Sequence, residues 1–281
     1  MMRSAWRESY LVGGVFFALA SALAALAPLA AAQGAPPLPD FSAGEAGWVI
    51  TGGEFAPVAG SPSPVLQDPA HRYVANANRG EQPTYRMGDI SNPNLKPWVR
   101  ERIKNDNDEV LAGKYAFTAR SSCTHAGVPG FMVYPVRPVY FIHTPKQVLM
   151  IYEGDAQVRR VYLDVPHSEI VKSSWYGESV GHYEGDTLVV DTIGLNDKTY
   201  LDNFRTPHSD KLHLVERWKL AGEGKTLEVN ITIDDTEAFN QPFSMIQRYR
   251  REPGRLAEEV CAENNFVFFG ERVPTANKPD F

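Results

Sequence analysis

The spacing of apolar side chains along this chain changes at about residue 115. Beyond that point, apolar or aromatic positions alternate with polar ones in nine short segments, which are rich in β-branched and aromatic residues and separated by turn residues. A period of two is typical of β-strands that bury one face. The nine segments are VYFIHT (139–144), VLMIYE (148–153), VRRVYLD (158–164), ESVGHYE (178–184), TLVVDTI (187–193), LHLVERWKL (212–220), TLEVNITID (226–234), SMIQRYRR (244–251) and AEEVCAE (257–263).

Several connections between these predicted strands are short, such as Gly185-Asp186 and the segment 144–147. Short connections make neighbouring strands antiparallel, because a parallel crossover needs a dozen or more residues. Consecutive strands without an intervening helix then form a meander, and closing the meander removes its exposed edges. The pattern therefore predicts an all-β fold, an antiparallel meander that closes into a lipocalin-like β-barrel over residues 115–281.

The chain before residue 115 lacks this periodicity. Residues 33–93 are rich in Gly, Pro, Ala, Ser and Asn, which favours loops. Pro97 opens a segment with charges between its apolar positions, and Gly113 follows it, which is the usual punctuation of a helix. We expect residues 33–114 to be an N-terminal arm with one or two short helices packed on the barrel.

Residues 1–32 have the pattern of a secretory signal peptide. Arg3 and Arg7 precede an uncharged run that ends in Ala30-Ala31-Ala32, a small-residue cleavage site. The run is long enough to remain as an uncleaved membrane anchor, which is the alternative. Cleavage predicts a periplasmic or secreted protein with no membrane contact.

Composition narrows the functional classes. The chain has 281 residues, a formal net charge of -6 and two cysteines. A mildly acidic chain without a Lys/Arg cluster lacks the charge needed to hold a phosphate backbone, so we expect no nucleic-acid partner. In an oxidising compartment Cys123 and Cys261 are expected to form one disulfide, the alternative being two separate buried thiols. The sequence does not set an oligomeric state.

Glu216 is the first candidate catalytic residue. Alternation along 212–220 places it on the same strand face as leucines and Trp218. A carboxylate on an apolar face is costly unless it is paired or protonated, and burial raises its pKa toward the range of a general acid or base. The alternative is a salt bridge to an inward arginine such as Arg160.

The segment 158–164 carries an arginine on each face. One face holds Arg160 with Tyr162, and the other holds Arg159. If the first face lines the lumen, Arg160 could bind a carboxylate of a substrate and Tyr162 could hydrogen-bond it or transfer a proton. If Arg159 is the inward residue, this assignment fails.

Histidines complete the candidate set. His143 shares a face with apolar residues of its strand, and His208 lies in a loop between strands, so both are candidates for assisting catalysis. His167 and His182 are candidates for substrate binding, together with Trp218. No pair has the spacing of a specific metal motif, and we expect no cofactor. A zinc or iron site built from His143, His167, His208 and Glu216 is the alternative.

Several long motifs resemble a family of secreted bacterial hypothetical proteins. They are SWYGESVGHYEGDTLVVDTIG (174–194), RTPHSDKLHLVERW (205–218), EEVCAENN (258–265), PNLKPWVRERIKNDNDEVLAGK (93–114) and GVPGFM (127–132). The resemblance covers most of the chain after residue 32. Because this family is often met in bacteria that degrade aromatic compounds, it implies a small aromatic or plant-derived substrate. It supplies no catalytic residues.

The leading hypothesis is a periplasmic, cofactor-independent enzyme that performs acid–base chemistry in the barrel lumen. Elimination, decarboxylation or isomerisation of a small phenolic or carboxylated molecule would need only a positioned acid–base pair in a dry cavity. The alternatives are a lipocalin-like carrier of an apolar ligand, in which Glu216 pairs with an arginine, and a metal-dependent hydrolase. Convergence of Glu216, Arg160, Tyr162 and the histidines on one cavity would favour the enzyme, and their scatter would favour binding.

Overall fold

The computed structural model of the protein describes residues 38–42, 46–72, 86–114, 123–133 and 137–261. The predicted signal peptide lies outside these residues. Within them, the helix and strands are α1 (Pro97–Leu111), β1 (Gly47–Ile50), β2 (Ala56–Pro57), β3 (Val139–His143), β4 (Gln147–Tyr152), β5 (Gln157–Leu163), β6 (Glu178–Glu184), β7 (Thr187–Ile193), β8 (His213–Ala221), β9 (Thr226–Asp234) and β10 (Phe243–Glu252), with a 3₁₀ turn at Gly130–Met132.

The strands form a closed β-barrel, as the alternation predicts. The order around it is β1, β3, β4, β5, β6, β7, β8, β9 and β10, and β10 pairs with β1 to close the ring, while β2 adds to β10 beyond the end of β1. Trp48 on β1 stands opposite Val139 of β3 and Arg251 of β10, so this short strand joins the two ends of the meander. β1 lies in the segment that the sequence assigns to the arm.

One strand pair differs from the expected antiparallel pattern. β5 and β6 run parallel, with Val161 opposite Ser179. The connection between them, residues 164–177, is long enough to return the chain to the starting end of β5. The barrel is therefore mixed, because β5 and β6 are parallel while its other neighbouring strands pair antiparallel.

The last predicted strand, 257–263, is not a strand in its described part. Residues 257–261 make only an isolated bridge, between Glu259 and Gly154, and residues 262–263 lie outside the described chain. The segment is held differently. Cys261 is disulfide-bonded to Cys123 with 5.5 Å between the Cα atoms, which confirms the predicted pairing.

Helix α1 buries one face. Its buried positions, Val99, Ile103, Asn107 and Val110, recur every three or four residues. The helix begins at Pro97, and after it the backbone turns at Gly113 with φ of 84°, which a side chain would disfavour. Because the buried stripe faces inward, the residues between its members are left on the solvent side of the helix.

No helix in the described residues is long and apolar enough to cross a membrane.

Candidate functional site

Glu216 points into the barrel, as the alternation along β8 predicts. It is 0% exposed, and Trp218, two residues along, is also 0% exposed and donates its indole Nε1–H to Glu216 Oε2 over 2.8 Å. The salt bridge named as the alternative is present, but its arginine is not Arg160. The arginine that reaches Glu216 is Arg159, with Nη1 2.8 Å from Oε2 and Nη2 2.7 Å from Oε1.

Arg159 has its remaining donors satisfied within the barrel. Nε donates to Ser179 Oγ over 3.2 Å and Nη2 donates to Thr192 Oγ1 over 2.8 Å. Nη1 also lies 3.9 Å from the sulfur of Met150. Since both oxygens of Glu216 and all the nitrogens of Arg159 are engaged, the pair has the connectivity of a structural network. This arrangement matches the alternative in which Glu216 is tied to an arginine.

Arg160 and Tyr162 lie on the outside of the barrel, so their expected place in the lumen is wrong. Arg160 is exposed, and Tyr162 is 45% exposed. The period of two leaves one arginine of β5 inside and the other outside, and the inside position goes to Arg159 because the buried carboxylate of Glu216 lies there.

His143 lies inside one end of the barrel. Its Nδ1 is 3.0 Å from the hydroxyl of Tyr183, and its ring lies 5.5 Å from that of Phe41. Burial lowers the pKa of His143, although the charge of Asp40 opposes that shift. Burial also raises the pKa of Tyr183 to about 12. The pair is therefore a neutral hydrogen bond in the apolar end of the barrel.

His167 and His182 lie on the outer wall. His167 bridges two carboxylates, with Nδ1 3.1 Å from Glu178 Oε1 and Nε2 2.8 Å from Asp191 Oδ1, so it fastens the 164–177 connection to β6 and β7. His182 is exposed and pairs with Glu184 over 3.1 Å. Neither shares a cavity with Glu216.

The alternative metal site does not assemble. His143 lies in the end of the barrel, His167 on the outer wall, His208 in a loop and Glu216 in the core. Within the described part of the chain, no group of three or more His, Cys, Asp or Glu side chains is placed to hold a metal ion.

His208 instead lies at the wall of a groove of about 680 Å³ outside the barrel. Four parts of the chain frame this groove: the solvent side of α1, the 164–177 connection, the connection between β7 and β8, and the loop after β9. The residues that line it are Trp98, Arg102, Ser173, Asn196, Asp197, Lys198, Thr199, Tyr200, Pro207, His208, Ser209, Asp210 and Glu237. Its volume falls in the ordinary range of small-molecule sites.

The hydrogen bonds of His208 define its tautomer. Nδ1 lies 2.9 Å from the backbone carbonyl oxygen of Ser209, which can only accept, so Nδ1 carries the hydrogen. Nε2 lies 2.7 Å from Thr199 Oγ1 and accepts the hydroxyl hydrogen. Burial lowers the pKa of His208, with the charges of Asp235 and Asp197 opposing, so the ring is neutral. The result is a hydroxyl held against a neutral base.

Neighbouring residues hold both His208 and Thr199 in place. Ser209 is anchored by Asp235, which accepts its backbone N–H over 2.7 Å and its hydroxyl over 2.8 Å. The methyl group of Thr199 packs on Gly127, where an added Cβ would clash with Thr199 Cγ2. Gly127 has φ of 67°, so both the space and the backbone favour glycine there.

A buried carboxyl shapes the loop that leads into the groove. Asp202 Oδ1 accepts the backbone N–H groups of Phe204 at 2.9 Å and Thr206 at 3.1 Å, and Oδ2 accepts the Thr206 hydroxyl at 2.7 Å. Leu201 N–H also donates to the Thr206 carbonyl over 2.9 Å, which closes the loop. Pro207 and His208 leave this closed loop in a fixed direction.

Comparisons with known proteins give no further assignment: no protein-family model, curated protein or solved structure matches the chain. The resemblance of the motifs to secreted bacterial proteins therefore stays a prediction.

Sequence reasoning named one residue of the groove, His208, and missed its neighbours. Thr199 carries no signal of its own, since a single threonine in a loop is ordinary. Trp98 did carry a signal in the sequence, because it is a large apolar residue that lies off the helix face formed by Val99 and Ile103. It is 44% exposed, and its indole N–H donates to the Glu237 carbonyl over 2.8 Å.

Proposed function

We propose that the protein is an exported β-barrel that binds a small hydroxylated aromatic acid in the groove beside His208. The observation that carries the proposal is the groove itself, which combines aromatic, cationic and acidic side chains around a buried neutral histidine. The Cys123–Cys261 disulfide and the signal-like segment 1–32 support a periplasmic or extracellular location.

The lining chemistry suits each part of such a ligand. Trp98 and Tyr200 are the aromatic residues of the lining, and aromatic side chains pack favourably against an aromatic ring. Arg102 and Lys198 offer positive charge for a carboxylate. The carboxylates of the groove, Asp197, Asp210 and Glu237, accept a hydrogen bond from a phenolic hydroxyl.

The barrel interior is a weaker candidate for the same ligand. Large side chains occupy it, including Trp218 at 0% and Tyr249 at 2% exposure. The polar atoms of Glu216 and Arg159 are bonded to each other and to neighbouring side chains of the barrel, so neither residue presents a free group to a ligand. For the same reason we do not propose acid–base chemistry at Glu216.

Calorimetric and fluorescence titrations with 4-hydroxybenzoate test the proposal. We expect saturable binding with a change in tryptophan emission that is lost in Trp98→Phe, whose phenyl ring keeps the stacking surface and hence the calorimetric signal. Benzoate and phenol, which each lack one polar group, should bind more weakly.

Two arginine variants locate the ligand. Arg102→Gln should weaken binding by a few-fold, as expected for an exposed ion pair. Arg160→Gln, the matched control on the outer barrel wall, should bind like wild type. The proposal would be overturned by an absence of saturable binding, or by binding in which Trp98→Phe keeps the emission change and Arg102→Gln leaves the affinity unaltered. Binding of glucose in place of the aromatic acids would overturn the ligand class.

A further inference from the structure

We infer that Thr199 and His208 form a nucleophile–base pair that hydrolyses an ester of a hydroxylated aromatic acid in the groove. The inference rests on the proposed function, since the substrate's aromatic acid is the ligand proposed above. It adds a covalent step to a site that otherwise only binds.

The geometry is that of an activated hydroxyl. Thr199 Oγ1 donates to His208 Nε2 over 2.7 Å, and His208 Nδ1–H donates to the Ser209 carbonyl over 2.9 Å. Nucleophile, base and a third group that orients the base are the three parts required for such activation. Burial, which lowers the pKa of His208, keeps the base unprotonated.

The pair is also held rigidly at a wall that a ligand can reach. Thr199 and His208 both line the groove, although they are only 4% and 2% exposed. The contact of the Thr199 methyl group with Gly127 limits rotation about χ1, which keeps the hydroxyl directed at His208. Such fixed placement is what lowers the entropic part of a barrier.

The reaction balances without a cofactor. Thr199 Oγ1 forms a bond to the ester carbonyl carbon while its proton moves to His208 Nε2 and the carbonyl electrons move to oxygen. The intermediate collapses, the bond to the phenolic oxygen breaks, and that oxygen takes the proton from His208. Water then attacks the acyl-threonine and gives its proton to His208. The bond to Thr199 Oγ1 breaks, the acid formed from the acyl group leaves, and the proton returns from His208 to Thr199. Lys198 and Arg102 supply positive charge to the same groove while the intermediate is anionic.

The test uses 4-acetoxybenzoate, whose hydrolysis yields 4-hydroxybenzoate and acetate. We expect wild-type protein to accelerate the release of 4-hydroxybenzoate in proportion to protein concentration. Thr199→Val and His208→Gln should each lower kcat/KM by about 100-fold or more. The double variant should lose no more than either single variant, because the two groups act as a unit. Thr199→Ser, which keeps the hydroxyl, should retain activity.

Thr232→Val is the matched control, since Thr232 also carries a part-buried hydroxyl, hydrogen-bonded to Ser244 at 3.1 Å on the outer wall. It should hydrolyse the ester like wild type. If Thr199→Val does not fold, as judged by its melting transition, Thr199→Ser and the pH profile decide. Wild-type kcat/KM should fall as pH drops through the lowered pKa of His208 and stay flat above it.

Three results separate the two proposals. Hydrolysis at the wild-type rate in Thr199→Val or His208→Gln would overturn the nucleophile–base pair. Binding of 4-hydroxybenzoate without any hydrolysis of 4-acetoxybenzoate would overturn the pair and leave the binding function standing. Failure of both binding and hydrolysis would overturn both.

Discussion

Arg159 and Glu216 form a bidentate ion pair inside the barrel, with the two N–O distances at 2.8 and 2.7 Å and both side chains at 2% exposure or less. The pair connects β5 to β8 across the core. Trp218 and the hydroxyls of Ser179 and Thr192 complete its hydrogen bonds. A carboxylate so enclosed holds the barrel together and is not free to accept a proton from a substrate.

Glu216→Gln should therefore destabilise the protein by about 3–5 kcal/mol, because it leaves the charge of Arg159 buried without a counterion. Urea unfolding measures the loss. Adding Arg159→Met should recover part of it, since the double variant buries no charge at this site while the introduced amide oxygen can still accept from Trp218. A Glu216→Gln variant as stable as wild type would contradict the structural role of the pair.

For Tyr249, removal of a buried polar group is expected to keep or raise the stability of the protein, unlike the loss expected for Glu216→Gln. Its ring packs 5.8 Å from that of Trp218, and its buried hydroxyl has no hydrogen-bond partner among the described residues. Burial, with the charge of Glu216, raises the pKa of this phenol. Tyr249→Phe should leave the free energy of unfolding unchanged or raise it by about 1 kcal/mol, because an unsatisfied buried hydroxyl is removed. A clear loss in urea unfolding would mean that the hydroxyl has a partner.

Asp202 predicts a pH dependence. Burial raises its pKa from 3.8 to about 6, so the unfolded chain ionises first and the folded state loses stability as pH rises from about 4 to about 6. The loss amounts to about 3 kcal/mol at 1.36 kcal/mol per pKa unit. Asp202→Asn should abolish this contribution, because an amide does not ionise in this pH range. The Oδ1 of the introduced asparagine can still accept the backbone N–H groups of Phe204 and Thr206.

The measurement is the difference in unfolding free energy between wild type and Asp202→Asn at several pH values. Carboxylates with a lowered pKa, such as Glu178 and Asp191, make the folded state more stable as pH rises. Their contribution is the same in wild type and variant, so it cancels in the difference. The difference should shift in favour of the variant by a few kcal/mol between about pH 4 and pH 6. A constant difference would contradict the raised pKa.

The Cys123–Cys261 disulfide closes a loop of sequence separation 138. In the chain-entropy model, replacing both cysteines by serine should cost about 4–5 kcal/mol. Wild type unfolded under reducing conditions should match the double variant, whereas an unchanged midpoint after reduction would mean that the bond does not stabilise the fold.

Alternation predicts most of the barrel because a period of two fixes which side chains share a face. It placed Glu216 and Trp218 correctly inside. It could not choose between Arg159 and Arg160, since β5 has an arginine on each face and the choice depends on the position of Glu216 on a distant strand. The parallel pairing of β5 and β6 was missed because the length of the 164–177 connection allows either direction.

The groove could not be predicted, because its residues come from separate parts of the chain. Trp98 is on α1, Ser173 lies in the 164–177 connection, Thr199 and His208 lie on the one connection between β7 and β8, and Glu237 follows β9. Each segment alone looks like an ordinary helix surface or loop. Only the fold brings these segments together, and the sequence does not show that the β7–β8 connection turns back to place Thr199 against His208, nine residues further on.

A crystal structure of the protein with 4-hydroxybenzoate tests the central claim most directly. The account predicts the ligand in the groove, its ring against Trp98 and its phenolic oxygen beside Thr199 and His208. A ligand bound in the barrel interior beside Arg159 and Glu216, or elsewhere on the barrel with the groove empty, would contradict it.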